Sequence, residues 1–154
     1  MVTSVSSIQI KRPAEEVFEF ITDPGKARVW HIETVGIEGA KGMPVGSTGV
    51  VITRVMGQDV ESRFEVVEND GKSVTVARSI QGPLKFETKQ IVLPVAGGGV
   101  VVRIETRIDA GMIFRLAEPV VETLLRTSIE ADLHTLKAVL ENQIQTPLES
   151  GPTG

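Results

Sequence analysis

There is no cysteine and no tyrosine in this chain, only two histidines, and among the other aromatics one tryptophan and five phenylalanines. Without cysteine there is no disulfide, no thiolate nucleophile and no thiolate metal site. Two histidines and scattered carboxylates give no ligand spacing of the His-Glu-x-x-His kind, so no metal or other cofactor is expected. With aromatics at 4%, the few present carry more of any recognition that occurs. No apolar run approaches the roughly twenty residues that span a bilayer, which argues against integral membrane contact. The first dozen residues lack a basic stretch followed by an apolar core, so the expectation is a cytoplasmic protein. A net charge of −4 offers little attraction to nucleic-acid phosphates or to an anionic membrane. Arg54, Arg63 and Arg78 do not cluster with exposed aromatics, so no nucleic-acid-binding face is expected. Gly97-Gly98-Gly99 leads into a strand with no Lys-Ser/Thr after it, and is not a phosphate loop. No serine sits in a nucleophile elbow.

What is present is the pattern of an α+β domain. The 154 residues, 41% hydrophobic and 23% charged, suit one soluble domain, expected over residues 1–145. Residues 146–154, with two prolines and two glycines, should be a flexible tail. Val2 to Ile10 is rich in β-branched residues and favours a strand. Pro13 suits a helix's first turn, Glu15 and Glu16 complement its dipole, and Val17, Phe18 and Ile21 share one face. Asp23-Pro24-Gly25 ends that helix and can cap a second short one containing Lys26 to Trp30. Strand-like segments follow at about Ile32–Glu38, Gly49–Met56, Val60–Glu68, Ser73–Ile80, Leu84–Leu93 and Val100–Asp109. Short turns such as Asn69-Asp70-Gly71-Lys72 separate them, as in an antiparallel meander. In the last segment Val100, Val102, Ile104, Thr106 and Ile108 share one face and Arg103, Glu105 and Arg107 the other. One face of the sheet is wet and the other covered.

From about Met112 to Gln145 the spacing predicts one long helix, with a kink or break near Arg115–Glu118 because Pro119 lies inside it. Arg115, Glu118, Glu122, Arg126 and Glu130 form a charged stripe. At about 100° per residue, the opposite stripe holds Ala117, Val121, Leu124, Ser128, Ala131 and Thr135, flanked by Val120, Leu125, Ile129, Leu136 and Leu140. Small residues along a buried stripe leave volume, which a curved sheet can enclose as a pocket. The alternative is that a large side chain from the sheet, such as Met56, Phe64 or Phe86, fills the gap.

The stretch from Arg12 to His31, RPAEEVFEFITDPGKARVWH, resembles the opening of the START-related polyketide cyclase/dehydrase and lipid-transport superfamily (SRPBCC). Further similarities follow in order. They are Val45-Gly46-Ser47-Thr48-Gly49, the Ser79-Ile80-Gln81-Gly82-Pro83 turn, the glycine-rich turn into the last strand, and the terminal helix from Ala131 to Leu140. The resemblance spans about Val2 to Asn142. It implies the helix-grip fold: a strand, two short helices, six more antiparallel strands making a seven-stranded curved sheet, then the long helix. It also implies a cavity between that helix and the concave face. The superfamily includes carriers, cyclases, aromatases, hydrolases and co-chaperones, so function must be argued from the site.

By this resemblance Trp30 stands at the cavity's edge, unless it only staples the second short helix to the sheet. Phe64 and Phe86 face inward if each strand keeps the superfamily's alternation. Thr88, Gln90 and Thr106 are then polar groups on the inward face, needing one another, water or a ligand as partners. The expected cavity lies over Leu124, Ser128, Ala131 and Thr135, with Trp30 at its rim, Phe64, Phe86 and Gln90 across from the helix, and Met56 nearby. Asp132 is angled halfway inward, as a buried acid or a partner for a strand's arginine or backbone. His31 is either a surface histidine or a general base, and His134 is structural. The faces of Arg54 and Arg78 are unassigned; an inward arginine would bind a ligand carboxylate or phenolate. The expected partner is a small hydrophobic or aromatic molecule, lipid or polyketide-like, bound in the cavity. The rival readings are a cyclase/dehydrase-like enzyme using the same cavity and a co-chaperone-like interaction module. A homodimer is left open.

Overall fold

The computed structural model describes residues 1–109 and 117–142. The chain runs β1 (Val2–Ile10), α1 (Ala14–Ile21), a 3-10 turn (Pro24–Lys26), α2 (Ala27–Trp30) and β2 (Thr34–Glu38). Then come β3 (Thr48–Val55), β4 (Gln58–Asn69), β5 (Val74–Gln81), β6 (Lys85–Pro94), β7 (Val100–Asp109) and the helix Glu118–Asn142, here α3. All seven strands form one antiparallel sheet in the order β1-β7-β6-β5-β4-β3-β2. The meander from β2 to β7 pairs each strand with its successor, and β1 closes against β7 with Val2 opposite Ile108 and Ile10 opposite Val100. This is the helix-grip fold.

Local chemistry sets the breaks. Asp23 accepts a hydrogen bond from the Gly25 N–H at 3.0 Å and caps the 3-10 turn. The Asp70 carboxylate accepts from the N–H groups of Lys72, Ser73 and Val74, tightening the β4–β5 turn. At Gly82 the backbone has φ of +122° and a Cβ would stand 2.7 Å from the Glu61 carbonyl, so only glycine fits the entry to β6.

The core occupies one end of the concave face. Ile10 of β1, Val17, Phe18, Phe20 and Ile21 of α1, Trp30 of α2, Val92 of β6 and Val100, Val102 and Ile104 of β7 pack there. They meet Ile129, Leu133, Leu136 and Leu140 of α3. A second, smaller group of Val60 and Leu84, with Val55, Phe86 and Ile108 against it, lies apart. Between these groups the concave face is incompletely filled.

One expectation about the long helix is met and one needs correction. The break expected near Arg115–Glu118 falls at Ala117, which is not helical: α3 begins at Glu118, so Pro119 lies in the first turn, where its missing N–H has no helical partner to lose. The buried face is rotated by about 100°, one residue's step, from the expected stripe. It consists of Val121, Ile129, Asp132, Leu133, Leu136 and Leu140. The expected segment from Met112 to Arg115, Gln145 and the tail from 146 to 154 lie outside the described residues.

Candidate functional site

Alternation along the strands aims a set of side chains into the concave face. On β4 these are Val60, Ser62, Phe64 and Val66, and on β6 Phe86, Thr88, Gln90 and Val92. Thr88 stands opposite Thr106 of β7 and Ala77 of β5, and Gln90 stands opposite Thr75. Two chambers lie along this face. The inner one, about 160 Å³, is bounded by Ala27, His31, Phe64, Ala77, Phe86 and Gln90, among others. The outer one, about 200 Å³, lies between Thr53 and Val55 of β3, Leu84, Ile108 and the α3 residues Val121, Leu125 and Ser128. Val51 of β3 lines the inner chamber, while the next inward residues on that strand, Thr53 and Val55, line the outer one. Phe86 borders the inner chamber and also packs with Val55, Leu84 and Ile108, so its ring stands between the two.

Two larger depressions lie elsewhere. One, beside α1, is walled by Arg12, Glu15, Glu16, Glu19, Asp23 and Lys26; the other, on the ends of β5 to β7, by Arg78, Lys85 and Arg107. The first is walled almost wholly by charged side chains, and the second mixes charged groups with Met1, Ile80 and Phe86; both carry more charge than is typical of a small-molecule site. The concave-face chambers are the better candidate.

The inner chamber's strand polar groups partner one another. Thr75 donates to Gln90 Oε1 at 3.1 Å, and the Thr88 and Thr106 hydroxyls lie 3.4 Å apart. His31 is different. Its Nδ1 is 3.0 Å from Asp132 Oδ2, and the other Asp132 oxygen accepts from the Ile32 N–H at 2.9 Å. Trp30 lies against the imidazole, with ring centroids 3.6 Å apart and planes tilted by 33°. The His31 side chain is 26% exposed and that of Asp132 only 11%. A carboxylate placed in α3 and locked by a backbone N–H thus orients an imidazole at the wall of the chamber.

The expected site residues divide accordingly. Phe64, Phe86, Thr88 and Gln90 line the inner chamber, and Leu124 and Ser128 the outer one, although Leu124 is 45% exposed. Thr106 is buried behind Thr88 and lines neither chamber. Ala131 and Thr135 line neither chamber, because at their end of α3 Leu133, Leu136 and Leu140 fill the space against the sheet; the Thr135 hydroxyl donates to the Ala131 carbonyl within α3. Met56 is not on the concave face: it occupies the β3–β4 turn with φ of +50° and is 64% exposed. Trp30 is not a rim residue either. At 1% exposure it belongs to the core and staples α2 to the sheet, its Nε1 buried without a hydrogen-bond partner among the described residues. Arg78 faces outward beside Glu65, and Arg54 pairs with Asp59 while also bordering the outer chamber.

Asp132 takes the backbone partner that was one of its two expected roles, and its second partner is His31. That pairing was not legible, because 101 residues separate the two side chains. Ile37 and Met43 also line the inner chamber and were missed. The β2 alternation points to Ile37; Met43 sits in an irregular turn at φ of +50° and carries no such signal. Among the described residues no three His, Asp or Glu side chains converge as a metal site requires, and no helix is long and apolar enough to cross a membrane.

No curated protein sequence matches this chain. Solved structures of similar fold include a START superfamily protein from Mycobacterium smegmatis, at 15% identity and a TM-score of 0.77, covering 92% of this chain and 98% of that one. TTHA0849 of Thermus thermophilus is 19% identical with a TM-score of 0.74, covering 88% of this chain and 94% of its own. BexL, the di-domain ARO/CYC of the BE-7585A biosynthetic pathway, is 16% identical with a TM-score of 0.71; the match covers 92% of this chain and 47% of BexL. At such identities the likeness is one of fold. Sequence supplies the family: residues 1–141 match the model described as polyketide cyclase / dehydrase and lipid transport, and the chain belongs to that family.

Proposed function

We propose that this chain binds a small, largely apolar molecule in the chambers between the sheet and α3. The observation that carries the reading is the gap between the two packed groups of the concave face, walled by apolar side chains with a few polar groups. Such walls hold an apolar body and orient it through one or two hydrogen bonds. Size narrows the ligand. A cavity of about 150 Å³ takes a benzene ring, so an inner chamber of about 160 Å³ accepts one ring rather than a long acyl chain. Family membership supports ligand binding in general.

A second reading has an observation of its own. His31 with Asp132 has the arrangement of a general base held by an orienting carboxylate. This favours an enzyme of the cyclase/dehydrase kind over a purely outward-facing interaction module. The likeness to BexL, an ARO/CYC protein, points the same way.

The test is thermal denaturation of the full chain with a panel of one-ring and two-ring aromatic compounds. A ligand at about one hundred times its Kd stabilises the native state by about 2.7 kcal/mol, an easily measured rise in Tm. One-ring compounds should give the larger shifts. A panel without any shift would sink the binding reading.

A further inference from the structure

We propose that the inner chamber selects a phenol-class ligand, a single ring whose hydroxyl donates a hydrogen bond to Nε2 of His31. The inference rests on the ligand-binding reading and adds the chemical class. It starts from Asp132. An ionised carboxylate only accepts hydrogen bonds, so the His31 proton sits on Nδ1, 3.0 Å from Oδ2. In the neutral ring Nε2 then carries the lone pair. The tautomer is held firmly because the Ile32 N–H fixes Asp132 through its other oxygen.

Three sides of the imidazole are thereby accounted for. Its Nδ1 edge faces α3, the Trp30 indole covers one face, and the ring borders the inner chamber. Nε2 makes no hydrogen bond to any described residue. Around it Thr75 donates to Gln90 and the Thr88 hydroxyl pairs with Thr106, leaving the Thr34 hydroxyl of β2 and the Gln90 amide NH2 as other polar groups on the wall. Nε2 is therefore an oriented acceptor beside a chamber of one-ring size, and what it lacks is a donor. An aryl hydroxyl is a stronger donor than an alcohol and brings the apolar ring that the Phe64, Ala77 and Phe86 walls accept. A long acyl chain exceeds the volume of the inner chamber.

The decisive comparison uses p-cresol, its near-isostere p-xylene, and p-methylanisole, which is one methyl group longer. p-Cresol has the hydroxyl, p-xylene replaces it with a methyl group, and p-methylanisole has an oxygen that accepts but cannot donate. Affinity is read by calorimetric titration, and the site by the imidazole ¹⁵N shift of His31. Apolar burial alone ranks p-xylene above p-cresol, since p-cresol loses hydration on entry. The expectation is the reverse, with p-cresol bound about tenfold tighter than either analogue and His31 Nε2 shifting as it binds. Asp132→Asn tests the tautomer. The new amide must give its oxygen to the Ile32 N–H and so presents an NH2 to Nδ1, which turns Nε2 into a donor. p-Methylanisole, whose oxygen can accept from that N–H, should then close its gap to p-cresol, while in His31→Leu the p-cresol preference should disappear and p-xylene still bind. If p-xylene binds as well as p-cresol to the native chain, or His31 does not shift, the phenol assignment is overturned and the cavity reading stands. If none of the probes binds, the cavity reading falls and takes the assignment with it. The native-chain comparison decides the matter even if neither variant folds.

Discussion

At Gly49 a single missing side chain shapes the site. Gly49 on β3 stands opposite Phe64 on β4, and the phenylalanine ring lies over it. A Cβ there would be 2.5 Å from the ring and 2.3 Å from the Glu38 carbonyl of the neighbouring strand. Neither backbone nor packed ring has room to retreat, so Gly49→Ala is an overpacking change. It should cost about 1–3 kcal/mol, read as a lower urea midpoint with an unchanged m-value. Because Phe64 also walls the inner chamber, the displaced ring should weaken one-ring ligands in parallel. The Val45 to Gly49 stretch was legible as a family feature, but its physical reason was not. It depends on a ring fifteen residues away along the chain, brought opposite only by strand pairing.

At the scale of the element, the sheet was more legible than the helix. Strands announce themselves through alternation and turn residues, and β7 runs over the expected Val100–Asp109. The face of α3 was misread because its charged stripe is not centred on its exposed side. Thr123, Leu124, Thr127 and His134 are exposed too, so the residues opposite the charges fall on the edge of the buried face. Asp132 compounds the error, being a carboxylate on the buried side. The C-terminal end of α3 is fastened to β1 by polar bonds. The Glu141 carboxylate accepts from the Lys11 N–H at 2.9 Å and from Lys137 Nζ at 2.9 Å, while Lys137 also donates to the Gln9 carbonyl at 2.7 Å. The Lys11 N–H bond, with help from Lys137, lowers the Glu141 pKa below its ordinary 4.5. A lowered carboxylate pKa stabilises the fold above the unfolded value, and that contribution fades as the pH falls through the folded value. Glu141→Gln should therefore cost up to about 1 kcal/mol at pH 7, since solvent screens the pair. The difference from the native chain should shrink as the pH falls from 4.5 and vanish once it is below the lowered folded-state value; a gap that persisted in strong acid would show that charge is not its origin.

For the whole molecule, the arrangement is a core at one end of the grip and two chambers separated by Phe86 along the rest. The small residues of α3 left open whether volume or a large sheet side chain lies beneath them; of the expected stripe, Val121, Leu124 and Ser128 border a chamber and Ala131 and Thr135 do not, because that depends on how the helix is turned and packed. Ser128 is half-buried and lines only the outer chamber. Ser128→Phe should fold with a Tm close to native and fill the outer chamber, abolishing binding of two-ring compounds that need both. Binding of p-cresol in the inner chamber should stay within about threefold of native, less than the tenfold that 1.4 kcal/mol represents. Loss of both would mean that the chambers act as one.

The contact between His31 and Asp132 spans 101 residues, and β1 closes against β7 across a comparable stretch of chain. Closing such long loops is entropically costly and slow, so pairings of this kind assemble late. During synthesis the wall, the floor and the imidazole all emerge before the helix that orients them. The proposed ligand site needs all of them, so ligand occupancy should report completed folding rather than any intermediate.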